Sequence, residues 1–100
     1  MALSGEGAIF VAALARLYAI RGENAEAVRL LKRLKSGKNA PSFEIAKVYE
    51  ALGKRAEALR WLERAYEQRS HSMVFLRVDP QLAPLRSDSA FERIAKRVGL

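Results

Sequence analysis

The chain of 100 residues has no cysteine and one histidine, His71. No disulfide can form and no thiolate can hold a metal, which leaves the redox compartment open, with a cytoplasmic location as the expectation. One histidine without cysteine supplies no zinc donor set. His71, between Ser70 and Ser72, reads as a solvated loop residue, and neither metal nor cofactor is expected. Long apolar runs are missing as well. The stretch from Ala8 to Ala15 ends at Arg16, well short of the ~20 residues that cross a bilayer. No membrane insertion is expected. Glu6 precedes that stretch and no early Lys or Arg does, so it does not read as a secretory signal. Acidic residues are few, 11 against 18 Lys and Arg, for a formal net charge of +7. Such a surplus attracts nucleic acid, acidic proteins or anionic lipid, or it simply solvates a helix face.

Catalytic patterns are equally scarce. Gly5 and Gly7 have no strand before them and no Lys-Ser/Thr after them, so they make no phosphate loop. Ser70, Ser72, Asp79 and Asp88 have no base placed beside them in sequence to activate a nucleophile. An enzyme is not expected.

What the chain does contain is a copy of itself. Arg16 to Leu34 reads RLYAIRGENAEAVRLLKRL, and Lys47 to Ala65, offset by 31 residues, reads KVYEALGKRAEALRWLERA. Eight of the nineteen aligned positions are identical: Tyr18/Tyr49, Gly22/Gly53, Ala25/Ala56, Glu26/Glu57, Ala27/Ala58, Arg29/Arg60, Leu31/Leu62 and Arg33/Arg64. A period of this length, with a glycine between two amphipathic runs, implies stacked helical hairpins.

Periodicity places the elements. A first helix runs from Ser4 to Ile20, with Ile9, Ala12, Ala13, Arg16, Leu17 and Ile20 on one stripe and Ala8, Val11, Leu14, Ala15 and Tyr18 on a neighbouring one. Gly22 stops it, and Asn24 fits an N-cap for a second helix whose apolar face is Ala27, Leu30, Leu31 and Leu34. Gly37 is the expected stop of that helix, and Pro41 suits the first turn of a third. That third helix buries Phe43, Ile45, Ala46, Val48, Tyr49 and Leu52 and ends at Gly53. A fourth, from about Arg55 to Arg69, turns Ala58, Trp61, Leu62, Ala65 and Tyr66 inward, so that Trp61 and Tyr66 read as core. The run from Met73 to Val78 is too short to assign, and Asp79-Pro80 and Ala83-Pro84 interrupt regular structure. A last helix spans Ser89 to Val98, capped by Asp88 or Ser89, with Glu92 placed for a capping box on Ser89 and Gly99 as its end. No strand is secure, and the chain reads as a single all-α domain: repeat one about 8–36, repeat two about 39–69, and a closing segment about 70–100.

Within each repeat, Ala15/Ala46, Tyr18/Tyr49, Gly22/Gly53, Ala27/Ala58 and Leu31/Leu62 resemble the tetratricopeptide pattern of a helix-turn-helix repeat. The offset is 31 rather than 34. The family's Trp near the start of the first helix and its Pro after the second are missing from both repeats. Leu76 to Phe91 resembles the tail that closes tetratricopeptide arrays in bacterial transcription regulators, adenylate cyclases and serine/threonine kinases, with Ser89 where a proline often follows the aspartate. The resemblance covers roughly residues 8–98. It implies two hairpins stacked as a short α-solenoid, a protein-binding role in a bacterial regulatory or signalling protein, and a concave groove lined by the first helix of each repeat. Terminal units must cover the end of such a stack, a task within reach of Met73, Phe75, Leu76, Leu82, Leu85, Phe91 and Ile94, with Arg77, Arg86, Arg93, Lys96 and Arg97 facing water.

The groove positions implied by the family are Ile9, Ala12, Arg16 and Ala19 from repeat one and Phe43, Lys47 and Glu50 from repeat two. Arg16 and Lys47 are equivalent, so two cations beside Ile9 and Phe43 would hold an acidic or C-terminal peptide. They stand where the family's carboxylate-clamp asparagines would be, so a chaperone-tail clamp is not implied. On this reading Arg16→Glu with Lys47→Glu abolishes partner binding and leaves folding intact. Two other partners stay open. Ile9, Phe10 and Val11 have no preceding hairpin to cover them, which favours a homodimer. Arg29, Lys32, Arg33, Lys35 and Lys38 follow one another without an acid between them; the first four offer weak nucleic-acid binding, but no aromatic residue is interleaved.

Overall fold

In a computed structural model of the chain, residues 5–36, 40–69 and 71–99 are described. They form five α-helices, α1 (Gly5–Ile20), α2 (Asn24–Lys35), α3 (Ser42–Ala51), α4 (Arg55–Glu67) and α5 (Ser89–Val98). Between α4 and α5 lie two 3-10 turns, His71–Phe75 and Pro80–Leu85. No strand occurs among the described residues. The expected features at Ser4, Gly37 and Ser70 fall outside them, as does the side chain of His71.

The internal repeat is visible in the backbone. Helix α1 ends on Gly22 at φ +80°, and α3 ends on Gly53 at φ +78°. At the first end, Gly22 N donates to Ala19 O at 3.1 Å and Glu23 N to Tyr18 O at 2.8 Å. At the second, Gly53 N donates to Glu50 O and Lys54 N to Tyr49 O, each at 2.9 Å. Every partner is matched across the repeat offset, and both ends are Schellman motifs, which require a left-handed residue after the helix. Open space surrounds the position of a Cβ at both glycines. Alanine at either site therefore meets only the backbone cost of the left-handed conformation, about 1–2 kcal/mol. Urea denaturation of Gly22→Ala and Gly53→Ala should show losses of that size, alike at the two sites.

Helix α1 packs on α2, α3 on α4, and α1 on α3. The Ala15, Ala46, Ala27 and Ala58 side chains sit fully buried where those helices meet. Small side chains at these crossings allow close approach, and Leu30, Leu31, Leu34, Ile45, Val48 and Leu62 fill the space around them. The result is compact, with a radius of gyration of 12.7 Å, close to the ~13 Å of a packed chain of this length.

Residues 71–99 cover the far side of α3 and α4. Leu82 and Leu85 of the second 3-10 turn and Phe91, Ile94 and Ala95 of α5 are buried, as are Met73 and Leu76. Phe75, expected among them, is instead 56% exposed: the three-residue pitch of the 3-10 turn sends Met73 and Leu76 to one side and leaves Phe75 outside. The Asp79-Pro80 break has a structural role. Asp79 caps the second 3-10 turn, its Oδ1 accepting from Gln81 N at 2.9 Å.

Several local expectations are corrected. Asn24 is the first residue of α2 rather than its cap; Glu23 holds the cap position and no side chain caps it. Pro41 likewise sits at the cap position of α3, one residue before the helix. Helix α4 ends at Glu67 and turns on Arg69 at φ +55°, a left-handed residue that is not glycine. At α5 the cap is Asp88, whose Oδ1 accepts from Ala90 N at 2.8 Å. Glu92 makes no box on Ser89. It pairs in bidentate fashion with Arg77, at 2.8 and 3.2 Å, so Arg77 is half-buried rather than wholly in water. The hydrogen bond from Arg77 holds the Glu92 carboxyl below its ordinary range, and the same bond to Glu92 raises Arg77 above its own.

Candidate functional site: a cleft between α1, α3 and the second 3-10 turn

Because α1 packs against α3 and the second 3-10 turn packs against α3, the three elements leave a cleft of about 490 Å³. Ile9, Ala12, Ala13, Arg16 and Leu17 form its α1 wall; Glu44 and Lys47 come from α3, and Gln81 from the 3-10 turn. Ile9, Ala13 and Leu17 recur every four residues, so they stand above one another on one face of α1. Ile9 is 54% exposed and Leu17 55% exposed, which gives the cleft an accessible apolar wall.

Of the groove residues expected from sequence, Ile9, Ala12, Arg16 and Lys47 come together here. Phe43 and Ala19 are buried in the core, and Glu50 is half-buried outside the cleft lining. Phe43 contributes from below: Lys47 Nζ lies 5.2 Å from its ring centroid.

The charges differ from the expected pair of free cations. Lys47 Nζ lies 3.0 Å from Glu44 Oε2 and 3.1 Å from Asp79 Oδ2, and its side chain is only 12% exposed. One ammonium between two carboxylates is fully committed. It has no charge left for a ligand, and it binds the tail to α3 through Asp79. Substitution of Lys47 by Glu would gather three carboxylates at this point, so the double charge reversal with Arg16 cannot leave the fold intact.

Arg16 is in the opposite condition. Its Nε is enclosed and has no hydrogen-bond partner among the described residues. A buried N–H without an acceptor costs about 1–3 kcal/mol. With Lys47 neutralised and Glu44 beside it, the cleft is not strongly cationic. Its chemistry suits apolar side chains, and it does not call for an acidic segment.

Elsewhere on α1, Phe10 is 69% and Ile20 56% exposed, whereas Val11 is half-buried against the core. The expected self-association set thus separates, Ile9 and Phe10 outward and Val11 inward. On α2, Arg29, Lys32, Arg33 and Lys35 are all exposed, and Lys38 falls outside the described residues. Arg29 is committed to Glu26 at 2.6 Å, a hydrogen bond that raises its pKa.

No group of three or more His, Asp or Glu side chains among the described residues is placed to hold a metal ion. No described helix is long and apolar enough to cross a membrane. No protein-family model, curated protein or solved structure matches the chain.

Proposed function

We propose that this chain is a non-enzymatic protein-interaction module, two tetratricopeptide-like hairpins in a short α-solenoid, which binds an apolar peptide or helix of a partner protein in the α1/α3 cleft. The observation that carries this reading is the exposed apolar wall of the cleft, Ile9 and Leu17 with Ala13 between them on one face of α1. An amphipathic helix laid along Ile9, Ala13 and Leu17 buries exposed apolar surface, and each well-buried side chain is worth about 1.5–3 kcal/mol before the costs of association. The matched helix ends of the two repeats support the hairpin description, and the tail's resemblance to closing segments of bacterial regulators supports the regulatory setting.

The test begins with helical peptides selected for binding to the full chain. Their affinities are then measured by calorimetry against Leu17→Lys and Ile9→Lys. Leu17 is largely exposed, so its replacement leaves the fold in place. Each substitution should weaken binding about tenfold or more, equivalent to ~1.4 kcal/mol. Selected peptides that bind both variants as well as the parent would remove the cleft from consideration.

A second reading is favoured by the exposure of Ile9, Phe10 and Ile20: a second copy packs its α1 against this one. Sedimentation at several concentrations separates the two. A strict monomer rejects the homodimer, and a dimer abolished by Phe10→Lys supports it.

A further inference from the structure

Between α2 and α4 lies a second concavity, separate from the α1/α3 cleft. One part, of about 260 Å³, has Lys32, Lys35, Tyr49, Lys54 and Glu57 in its wall. A second part, of about 240 Å³, shares Lys35 and Glu57 with the first and adds Arg60, Trp61 and Arg64. The shared wall makes them one furrow. Its side chains include five cations and one carboxylate, and that carboxylate, Glu57, is already paired with Arg60 at 3.4 Å.

The hydrogen bonding inside the furrow is one-sided. Lys35 Nζ donates to Tyr49 Oη at 2.8 Å. An ammonium has donors only, so the phenol accepts there and keeps its own proton for another oxygen. Tyr49 Oη thus joins Lys32, Lys35 and Lys54 as a donor around the same space, an arrangement suited to an anion with several oxygens. Trp61 decides which anionic polymer fits. Its half-buried indole packs against the core and lines the furrow, with the Arg64 guanidinium over the ring, 5.0 Å from the centroid. Cations along a groove with a planar stacking surface among them are what a single strand requires: phosphates meet the charges and a base stacks on the guanidinium plane that covers the indole. An acidic peptide would use only the charges, and a duplex offers no free base face.

We propose that the α2/α4 furrow binds single-stranded nucleic acid, with Lys32, Lys35 and Lys54 on the phosphates and a base stacked on the Arg64 guanidinium over Trp61. The basic run on α2 has no aromatic residue of its own; α3 and α4 bring Tyr49 and Trp61 to it.

Trp61 is the only tryptophan in the chain, so its emission reports on the furrow directly. The full chain is titrated at low salt with an oligo-uridylate of about 12 nucleotides. Binding should quench Trp61, and log affinity should fall with log salt by about 0.7 for each phosphate neutralised. Lys32→Ala/Lys35→Ala/Lys54→Ala should weaken binding at least about tenfold more than the charge-matched Arg21→Ala/Arg93→Ala/Lys96→Ala. Equal losses in the two triple variants would reduce the effect to net charge and overturn the proposal. So would absence of binding, binding that leaves Trp61 emission unchanged, or equally tight binding of poly-glutamate or of a duplex of the same length. The emission readout needs no substitution, so it decides the matter even if a triple variant folds poorly.

Discussion

Phe91→Ala should destabilise the protein by about 3–5 kcal/mol, the range for removing a fully buried aromatic side chain and leaving a cavity. Phe91 has no exposed surface and stands on the inner face of α5 with Ile94 and Ala95. Helix α5 packs on α4, where Arg97 lies 4.6 Å from the Tyr66 ring and 3.3 Å from Glu63 Oε1. A domain of this size has roughly 5–15 kcal/mol in total, and one substitution would consume much of it. Phe75→Ala supplies the contrast. Phe75 is mostly exposed, and its truncation should stay within about 0.5 kcal/mol. Urea denaturation of the two variants measures both. Similar midpoints for the two would mean that the tail does not seal the α3/α4 side.

Lys47→Met should cost about 3 kcal/mol. Removal of one partner from a buried ion pair leaves an uncompensated charge, a loss of about 3–5 kcal/mol. Here Glu44 and Asp79 are 19% and 14% exposed, so some hydration moderates it. The loss has two parts: the carboxylates repel each other, and Asp79 loosens the turn that it caps. Addition of Glu44→Gln and Asp79→Asn to Lys47→Met should recover most of the stability, because neutral amides leave no buried charge and the Asn carbonyl can still accept from Gln81 N. Denaturation midpoints of the single and triple variants check this. A single variant as stable as the parent would mean that the triad is solvated and that Lys47 is free after all.

The legible parts of the fold follow from local spacing. The Ser89–Val98 span of α5 was readable because Phe91, Ile94, Ala95 and Val98 recur at helical intervals between an aspartate cap and Gly99. The ends of α1 and α3 were readable because glycine alone accepts a left-handed turn at little cost. The end of α4 was less so, since Arg69 adopts the same conformation with no glycine to announce it. The 3-10 turns were illegible for a related reason: each is too short to show a period, and Pro84 inside the second argues against regular structure.

The candidate cleft was half legible. Repeat equivalence pairs Arg16 with Lys47 and places each on the helix that precedes the glycine of its repeat. It says nothing of Asp79, 32 residues away from Lys47, or of which carboxylates reach which cation. The aromatic partners of the basic α2 face were hidden in the same way.

From the chain alone come the all-α character, the duplicated unit, the glycine-terminated helices and the apolar faces. These depend on intervals of three and four residues and on backbone preferences that each residue carries anywhere. Tertiary packing decided that Lys47 is spent, that Arg16 Nε is unsatisfied, and that Lys35 meets Tyr49 and lies near Trp61. Those states depend on distances between segments far apart in sequence and on how much water packing leaves around a charge, quantities that exist only once the helices are in place.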